Sequence, residues 1–225
     1  MRVVVVGDDG AGDGDPGFVG ERLEQRGATL VPVDRDALPA YDELGPVDLL
    51  VLLGSARSVR ARAAAAVVEA ESRLLLAARR DGVPGIGICY GAQLVAHALG
   101  GVVTAATRPE VGWYEVESDD PLLCPPGPWA QYHLDAFVPP PGARVLGRTV
   151  VGVQGYTLDR LVAWQFHPEV TPAMLRRWLA EAPGAAEAAG SDPEQIIAFA
   201  VAHEDEARAA AAALTDAALA YLAGR

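Results

Sequence analysis

The fold is decided by the stretch Val83-Pro-Gly-Ile-Gly-Ile-Cys-Tyr-Gly-Ala-Gln-Leu-Val-Ala-His-Ala-Leu-Gly-Gly101. An apolar segment, Ile86–Ile88, runs directly into Cys89, and Gly91 precedes a run of apolar residues with helical spacing. This pattern predicts a nucleophile elbow, in which a buried strand turns sharply into a helix and glycines on both sides relieve the crowding. The residue at the turn is presented at the helix N-terminus, and in this chain it is a cysteine.

The position of Cys89 favours a chemical role. A thiolate is the reactive form of cysteine, and the positive end of a helix dipole lowers the pKa of a thiol from its free value of about 8.5. Backbone N–H groups at such a turn can also stabilise the oxyanion of a tetrahedral intermediate. The alternative is a small apolar residue buried at the end of a strand, which is the usual role of a free cysteine.

Composition limits the classes of function. The 225 residues can form one substantial core, and their formal net charge of −12 argues against nucleic acids and anionic membranes as partners, because phosphates would be repelled. The two cysteines, Cys89 and Cys124, are not spaced for a metal site, so we expect no metal, no other cofactor and a reduced, cytoplasmic setting. The apolar run at the N-terminus is too short for a signal peptide, and no segment has the apolar length that spans a bilayer.

Predicted strands and helices alternate along the first part of the chain. Strands are predicted at Val3–Val6, Thr29–Val33 and Val47–Leu53, and helices at Phe18–Gln25 and Ala61–Arg80. With the elbow strand and its helix, this order predicts an α/β fold with an open, mostly parallel, flavodoxin-like sheet flanked by helices. Reactive groups should lie beyond the C-terminal ends of its strands.

Three regions interrupt or extend this pattern. The acidic loop at residues 7–14 lacks the lysine of a phosphate loop and the glutamate of a calcium loop, so we interpret it as a connection. Short β-rich segments are predicted at Val102–Ala105, Trp113–Val116, Gln131–Phe137 and Ala143–Arg148, and with the many prolines of this region they predict antiparallel hairpins at one edge of the sheet. Residues 171–225 are predicted to be helical, with a capping box at 191–194 followed by one amphipathic, alanine-rich helix.

We predict two units, a domain of residues 1–180 and a helical extension of residues 181–225 that packs on the same domain. The apolar stripe of the extension has a functional alternative. It could bind a second copy of the chain to give a homodimer, or a synthetase partner.

A second chemical motif, His167-Pro-Glu169, follows a predicted strand at Leu161–Phe166. A histidine and a glutamate two residues apart at a strand end can project the same way, so the carboxylate can orient the ring while its other nitrogen faces a thiol. The ring could then accept the proton of the cysteine and later donate one to a leaving amine. Taken alone, the tripeptide is better explained as a solvated turn. A catalytic interpretation is favoured because Cys89 also ends a buried strand of the same predicted sheet.

Together, the two motifs resemble those of the class I glutamine amidotransferase family. That family has a Gly-x-Cys-x-Gly elbow followed by glutamine, matched here by Gly87–Gln93, and a His-Pro-Glu motif, matched within Gln165–Glu169. The resemblance covers about residues 1–177 and is to a stand-alone unit similar to the amidotransferase part of GMP synthase. It implies an enzyme that hydrolyses the side-chain amide of glutamine through a γ-glutamyl thioester.

The resemblance also implies roles for individual residues. Cys89 would be the nucleophile, His167 the base and then the acid, and Glu169 the carboxylate that orients it. The oxyanion would be held by the backbone N–H groups of Tyr90 and, in the loop after the third strand, Ser55. Contacts with the substrate are implied for Gly54, Gln93, Tyr132 and His133.

Two positions depart from the family pattern. The sequence Gly54-Ser55-Ala56 stands where the family usually has Gly-Gly-Pro, and a serine would be strained if this position required a positive φ. Leu134 stands where the family more often has glycine, which would narrow the substrate end of the pocket. Both departures affect the choice of substrate rather than the chemistry.

Three functions remain open at this point. The leading hypothesis is glutamine hydrolysis that supplies ammonia to a partner protein, since no synthetase region with a nucleotide-binding loop is found in the sequence. The second is a γ-glutamyl hydrolase or peptidase that uses the same triad on another γ-glutamyl amide. The third is a catalytically silent binding or regulatory protein, against which the intact triad residues argue.

Overall fold

One mixed sheet organises the protein, as seen in a computed structural model that describes residues 1–8 and 14–224. Its strands are β1 (Arg2–Gly7), β2 (Thr29–Asp34), β3 (Leu49–Leu52), β4 (Gly85–Ile88), β5 (Val102–Ser118), β6 (Gly127–Val138), β7 (Arg144–Arg148), β8 (Val153–Leu158) and β9 (Leu161–Trp164). Their order across the sheet is β2-β1-β3-β4-β9-β8-β7-β5-β6. The first five of these are parallel and the remaining four are added antiparallel at one edge. The predicted fold class is therefore confirmed.

Helices cover both faces of the parallel part. They are α1 (Gly17–Gln25), α2 (Ala65–Arg80), α3 (Tyr90–Ala98), α4 (Pro172–Glu181), α5 (Ala185–Ala188), α6 (Pro193–Ala202) and α7 (Glu204–Leu222). Alternate side chains of β1 point to opposite faces. Val3 and Val5 pack into the core with α1 and α7, whereas Val4 and Val6 pack with α2 and α3. This two-sided burial explains why the parallel strands are continuous apolar runs.

The antiparallel edge differs in detail from the sequence prediction. β5 is one long strand with an irregularity between Ala105 and Glu110, where two separate segments were predicted. β8 was not predicted, because its buried residues include the polar Gln154 and Thr157, which interrupt the apolar pattern. Residues 9–13 of the predicted connecting loop lie outside the described residues.

In the C-terminal region the prediction needs two corrections. The cap of α6 is Asp192, whose carboxylate accepts the N–H of Glu194, rather than Ser191 in a capping box. The single long helix that was predicted is two helices that meet at His203. Three acidic residues follow at once, Glu204, Asp205 and Glu206, and negative charge is stabilised in the first turn of a new helix.

α7 packs back on the body of the protein. Leu214 and Ala218 are buried in the core beneath the sheet, and Arg22 of α1 forms an ion pair with Asp216 at 2.5 Å. The helical extension thus contacts the same sheet as the rest of the chain, while the boundary at residue 180 stays a prediction. Within 1–8 and 14–224, no helix combines the length and apolar character needed to cross a membrane.

Candidate active site

Cys89 sits at the turn between β4 and α3 in a strained backbone conformation, with φ of 51° and ψ of −108°. The flanking glycines are required by close contacts. A Cβ at Gly91 would lie 2.0 Å from the carbonyl oxygen of Leu52, and one at Gly87 would lie 2.9 Å from the backbone of Gly91. The elbow geometry predicted from the sequence is therefore confirmed, and it holds the cysteine at the C-terminal edge of the sheet.

His167 and Glu169 follow β9 and are both buried, with exposed fractions of 4% and 2%. The ring nitrogen Nδ1 of His167 lies 2.7 Å from Oε1 of Glu169. The backbone fixes both residues: His167 N–H donates to the carbonyl oxygen of Ala130 at 2.9 Å, and the carbonyl oxygen of Glu169 accepts the N–H of Phe18 at 2.9 Å. The glutamate thus occupies Nδ1 and leaves Nε2 to interact with the thiol.

The electrostatics couple His167 to the cysteine. Burial by itself lowers the pKa of His167, but the charge of Glu169 and the charge and hydrogen bonding of Cys89 outweigh it and raise this pKa well above its ordinary value. An imidazolium is therefore favoured next to the sulfur at neutral pH. Two further contacts reach the sulfur: Nε2 of Gln165 donates to it at 3.5 Å, and the thiol lies 3.8 Å from the carbonyl oxygen of Tyr132.

The thiol and the imidazole share a cavity of about 130 Å³. It is partly open to solvent. Its lining residues come from the elbow, the loop after β3, β6, the end of β9 and α4: Gly54, Ser55, Ala56, Cys89, Tyr132, His167, Glu169, Trp178, Glu181 and Ala182.

The loop after β3 lies directly against the thiol and the imidazole. A Cβ at Gly54 would be 3.0 Å from the ring carbon Cε1 of His167 and 3.7 Å from Cβ of Cys89. Ser55 is not strained, since within the described ranges the non-glycine residues with positive φ are Cys89 and Asp159. The serine in place of the usual glycine therefore has no backbone cost, and its N–H stays available for the predicted oxyanion role.

Of the predicted substrate contacts, Gly54 and Tyr132 line the cavity, whereas Gln93 and His133 do not. His133 follows Tyr132 in β6 and points to the opposite face of the strand, where its Nε2 lies 3.0 Å from Oε2 of Glu110. Gln93 is buried in α3 and donates to Oε1 of Gln165 at 3.2 Å. The described lining of the cavity therefore does not include either side chain, and their assignment as substrate contacts stays a prediction.

Leu134 also behaves differently from the prediction. Its side chain is 64% exposed and is absent from the described lining of the cavity, so it does not narrow the pocket. The neighbouring Asp135 instead ties β6 to the loop after β3, because its carboxylate accepts hydrogen bonds from Ser58 at 2.5 Å and from Nη2 of Arg60 at 2.7 Å.

Three residues near the reacting atoms were missed by the sequence analysis. Gln165 stands within the quoted motif but was given no role, and its contact with the sulfur depends on the packing of β9 against the elbow. Trp178 and Glu181 belong to α4, and the Trp178 ring lies 4.9 Å from that of His167 and 5.8 Å from that of Tyr132. Their helical spacing of three residues was the available signal that they share a face.

These features define a class of protein, an α/β fold with a cysteine at a nucleophile elbow and a buried histidine–glutamate pair facing the same cavity. The family model for class I glutamine amidotransferases matches residues 19–180. Since this match covers well over half of the sequence, the chain belongs to the class I glutamine amidotransferase family.

Curated relatives include glutamine-hydrolyzing GMP synthases. The one from Thermomicrobium roseum is 39% identical over 122 residues, which cover 47% of this chain and 22% of the relative. The one from Aeropyrum pernix is 35% identical over 154 residues, covering 59% and 29%. In Sulfurisphaera tokodaii the relative is one subunit of a glutamine-hydrolyzing GMP synthase, 35% identical over 100 residues, covering 40% and 53%. The matched part of the chain thus spans from about a fifth to about half of the length of these relatives.

Solved structures share the fold over nearly the whole chain. A glutamine amidotransferase from Thermotoga maritima has a TM-score of 0.83 and 22% identity, with coverage of 99% of this chain and 97% of that one. A second, from Methylobacillus flagellatus, has a TM-score of 0.77 and 23% identity, with coverage of 97% and 93%. The helical C-terminal region is therefore part of the shared architecture.

Proposed function

We propose that the chain hydrolyses the side-chain amide of glutamine, with Cys89 as the nucleophile. The observation that carries this proposal is the shared cavity, in which the elbow cysteine meets a histidine whose other nitrogen is held by Glu169 at 2.7 Å. Membership of the class I glutamine amidotransferase family and relatives named as glutamine-hydrolyzing enzymes support glutamine as the substrate.

The raised pKa of His167 sets the resting state of the site. Because the ring is favoured in its protonated form, we propose that the sulfur of Cys89 reacts as a thiolate beside an imidazolium. A neutral imidazole that first takes the proton of the thiol, as expected from the sequence, leads to the same pair of groups.

In the acylation step, the sulfur of Cys89 attacks the amide carbon and the carbonyl oxygen becomes an oxyanion. The backbone N–H groups of Tyr90 and Ser55 stabilise this charge. His167 then donates its proton to the amide nitrogen, the C–N bond breaks, and ammonia leaves. The product on the enzyme is a γ-glutamyl thioester, and His167 is neutral.

In the deacylation step, neutral His167 accepts a proton from water and the resulting hydroxide attacks the thioester carbon. The C–S bond breaks, glutamate is released, and the thiolate–imidazolium pair is restored. Glu169 holds the ring in one orientation throughout. The ammonia produced is passed to a separate acceptor protein, a role supported by a relative whose name makes it one subunit of a GMP synthase.

A second candidate function is a γ-glutamyl hydrolase that accepts a larger leaving amine. The observation that favours it is the charge of the cavity, whose described lining has the carboxylates of Glu169 and Glu181 and no lysine or arginine. Glu181 stands with the aromatic rings of Tyr132 and Trp178, a combination that attracts ammonium groups. A γ-glutamyl amide with a positively charged amine would fit this arrangement.

The proposed function is tested by following glutamate release from glutamine and from γ-glutamyl amides and peptides. We expect wild type to act on one of these classes, Cys89→Ala to be inactive, and a glutamine-directed electrophile to label Cys89. Cys124→Ala is the matched control, because Cys124 is buried in the core and should not react. A preference for larger amines would select the second candidate, while no turnover and no labelling would leave only a binding or regulatory protein.

A further inference from the structure

A buried network of charges lies beneath the loop after β3. Arg35 is only 1% exposed, and its Nη2 donates to the carbonyl oxygens of Leu53 and Gly54 at 3.1 and 3.0 Å. Its Nε lies 3.1 Å from Oδ1 of Asp8, and its Nη1 lies 3.4 Å from Oε1 of Glu71. One guanidinium therefore connects two carboxylates and two successive peptide groups of the proposed oxyanion loop.

Burial of this network costs free energy, and none of its side chains takes part directly in the proposed acyl-transfer steps. Taking charged groups out of water requires good geometry and satisfied hydrogen bonds, and apolar residues of the same volume are often as stabilising. Neither Arg35 nor Glu71 lines the cavity with the thiol. The two hydrogen bonds from Arg35 to the carbonyl oxygens of Leu53 and Gly54 indicate instead that it holds the neighbouring backbone in place.

The first link is to the N–H of Ser55. In a planar trans peptide the C=O and N–H groups point in opposite directions, and the described chain has no cis peptide bond. Since Arg35 binds the carbonyl oxygen of Gly54, the N–H in the same peptide, that of Ser55, is directed away from the guanidinium. Ser55 itself lines the cavity that holds the thiol.

The second link is to Tyr90, the residue after the nucleophile. Its hydroxyl donates to Oε2 of Glu71 at 2.8 Å, and the guanidinium carbon of Arg35 lies 4.6 Å from the centre of its ring. Tyr90 is the first residue of α3, directly after Cys89, so its backbone N–H lies at the N-terminus of the helix. Arg35 thus holds the peptide of one proposed oxyanion donor, Ser55, and Arg35 and Glu71 together hold the side chain of the other, Tyr90.

A third link ties the loop to the end of β1. The hydroxyl of Ser55 donates to Oδ2 of Asp8 at 2.6 Å and accepts the N–H of Arg57 at 3.1 Å. Arg57 also forms an ion pair with this carboxylate, with its Nη1 2.9 Å from Oδ1 of Asp8. The serine that replaces the usual glycine of the family therefore supplies a hydroxyl anchor that glycine lacks.

We infer that Arg35, Asp8 and Glu71 are positioning residues for the oxyanion hole, which hold the backbone N–H groups of Ser55 and Tyr90 in the orientation that stabilises the tetrahedral intermediate. This inference rests on the proposed amidase function. It assigns the network a role in the rate of acylation, separate from formation of the reactive thiolate.

The test uses three variants that keep both backbone donors: Ser55→Ala, Glu71→Gln and Tyr90→Phe. Glu69→Gln is the matched control, since Glu69 is on the same helix, is 71% exposed at its side chain and pairs only with Arg73 among the described residues. Two rates are compared for each folded variant: kcat for the best γ-glutamyl substrate, and alkylation of Cys89 by iodoacetamide. Alkylation needs the thiolate but no oxyanion hole.

We expect each of the three variants to lower kcat roughly 10-fold or more, since deleting one oxyanion donor outright costs about 10²- to 10³-fold. Alkylation and KM should stay within about twofold of wild type, and Ser55→Thr, which keeps the hydroxyl, should recover kcat. The inference is overturned if kcat equals that of Glu69→Gln, or if alkylation falls in parallel with kcat. A wild type without γ-glutamyl hydrolysis would instead refute the proposed function, and this inference with it.

Discussion

Within the described residues, two histidine–glutamate pairs are buried in the same protein, and their surroundings differ. His167 and Glu169 are 2.7 Å apart at the cavity, and His133 and Glu110 are 3.0 Å apart inside the antiparallel part of the sheet. The ring of His167 lines the same cavity as Cys89, whose charge contributes to the raised pKa of His167. The second nitrogen of His133 lies 2.9 Å from the carbonyl oxygen of Asp135, so both of its ring nitrogens have protein partners.

The difference shows that a carboxylate beside a histidine does not define a reactive site. Glu110 also accepts a hydrogen bond from Gln154 at 3.0 Å, and Gln154 accepts one from Gln131 at 2.8 Å. This group joins β5, β6 and β8, and a buried polar network of this kind stabilises the sheet when its members are satisfied. The pair at the cavity shares that cavity with a thiol, and the proposed acyl transfer depends on this arrangement.

The largest expected effect comes from replacing each histidine in turn. We expect His167→Gln to lower kcat for the γ-glutamyl substrate by about 10²- to 10⁴-fold, because a general acid and base is lost. His133→Gln should keep kcat within about threefold but lower the free energy of unfolding by about 1–3 kcal/mol, because it disturbs a buried hydrogen-bond network. Steady-state kinetics and urea denaturation of both variants measure the two effects. A folded His133→Gln protein as inactive as His167→Gln would contradict the distinction between the pairs.

A smaller, pH-dependent effect is expected from the two glutamates. Glu169 raises the pKa of His167, so Glu169→Gln should lower it. Because the protonated ring donates the proton to the leaving ammonia, kcat falls as pH rises through this pKa, and in Glu169→Gln that fall moves to lower pH. Glu110→Gln should leave the position of the alkaline limb unchanged. The pH profiles of kcat for the two variants and wild type provide the measurement, and equal shifts in both variants would argue against the assignment.

The elbow and the parallel sheet could be predicted because their causes are local. Gly87 is required by a contact with Gly91 inside one strand–turn–helix unit, and although Gly91 is required by Leu52 of the neighbouring β3, the spacing of the two glycines around Cys89 is itself a local signal. The run Val3–Val6 has the composition of a strand covered on both faces. The fold class follows from the order of such units. Neither inference needs to know which distant residues come together.

The sequence is least informative where the answer depends on tertiary packing. His133 and Tyr132 are neighbours in sequence, and which of them faces the cavity depends on the pairing of β6 with β5. Arg35 follows β2 in a short polar segment and carries no periodic signal, yet it is buried because β1, β3 and α2 surround it with acceptors. Such residues show their role only when the contacts of several elements are known together.

The two cysteines offer the last and smallest test of the comparison between reactive and structural positions. Cys124 is fully buried, and burial, with a contribution from Asp120 and Asp119, raises the pKa of its thiol from about 9 to about 12. Between these two pKa values the folded state retains a proton that the unfolded state has lost, so this thiol's stabilising contribution decreases as pH rises.

We expect the free energy of unfolding of wild type to fall more steeply than that of Cys124→Ala above pH 9, by up to about 1.4 kcal/mol per pH unit. Buried tyrosines with raised pKa, such as Tyr156, are present in both proteins and cancel in the difference. Urea denaturation of the two proteins from pH 8 to about 11 gives the slopes, and parallel slopes would mean that the Cys124 thiol ionises in the folded protein as readily as in the unfolded chain.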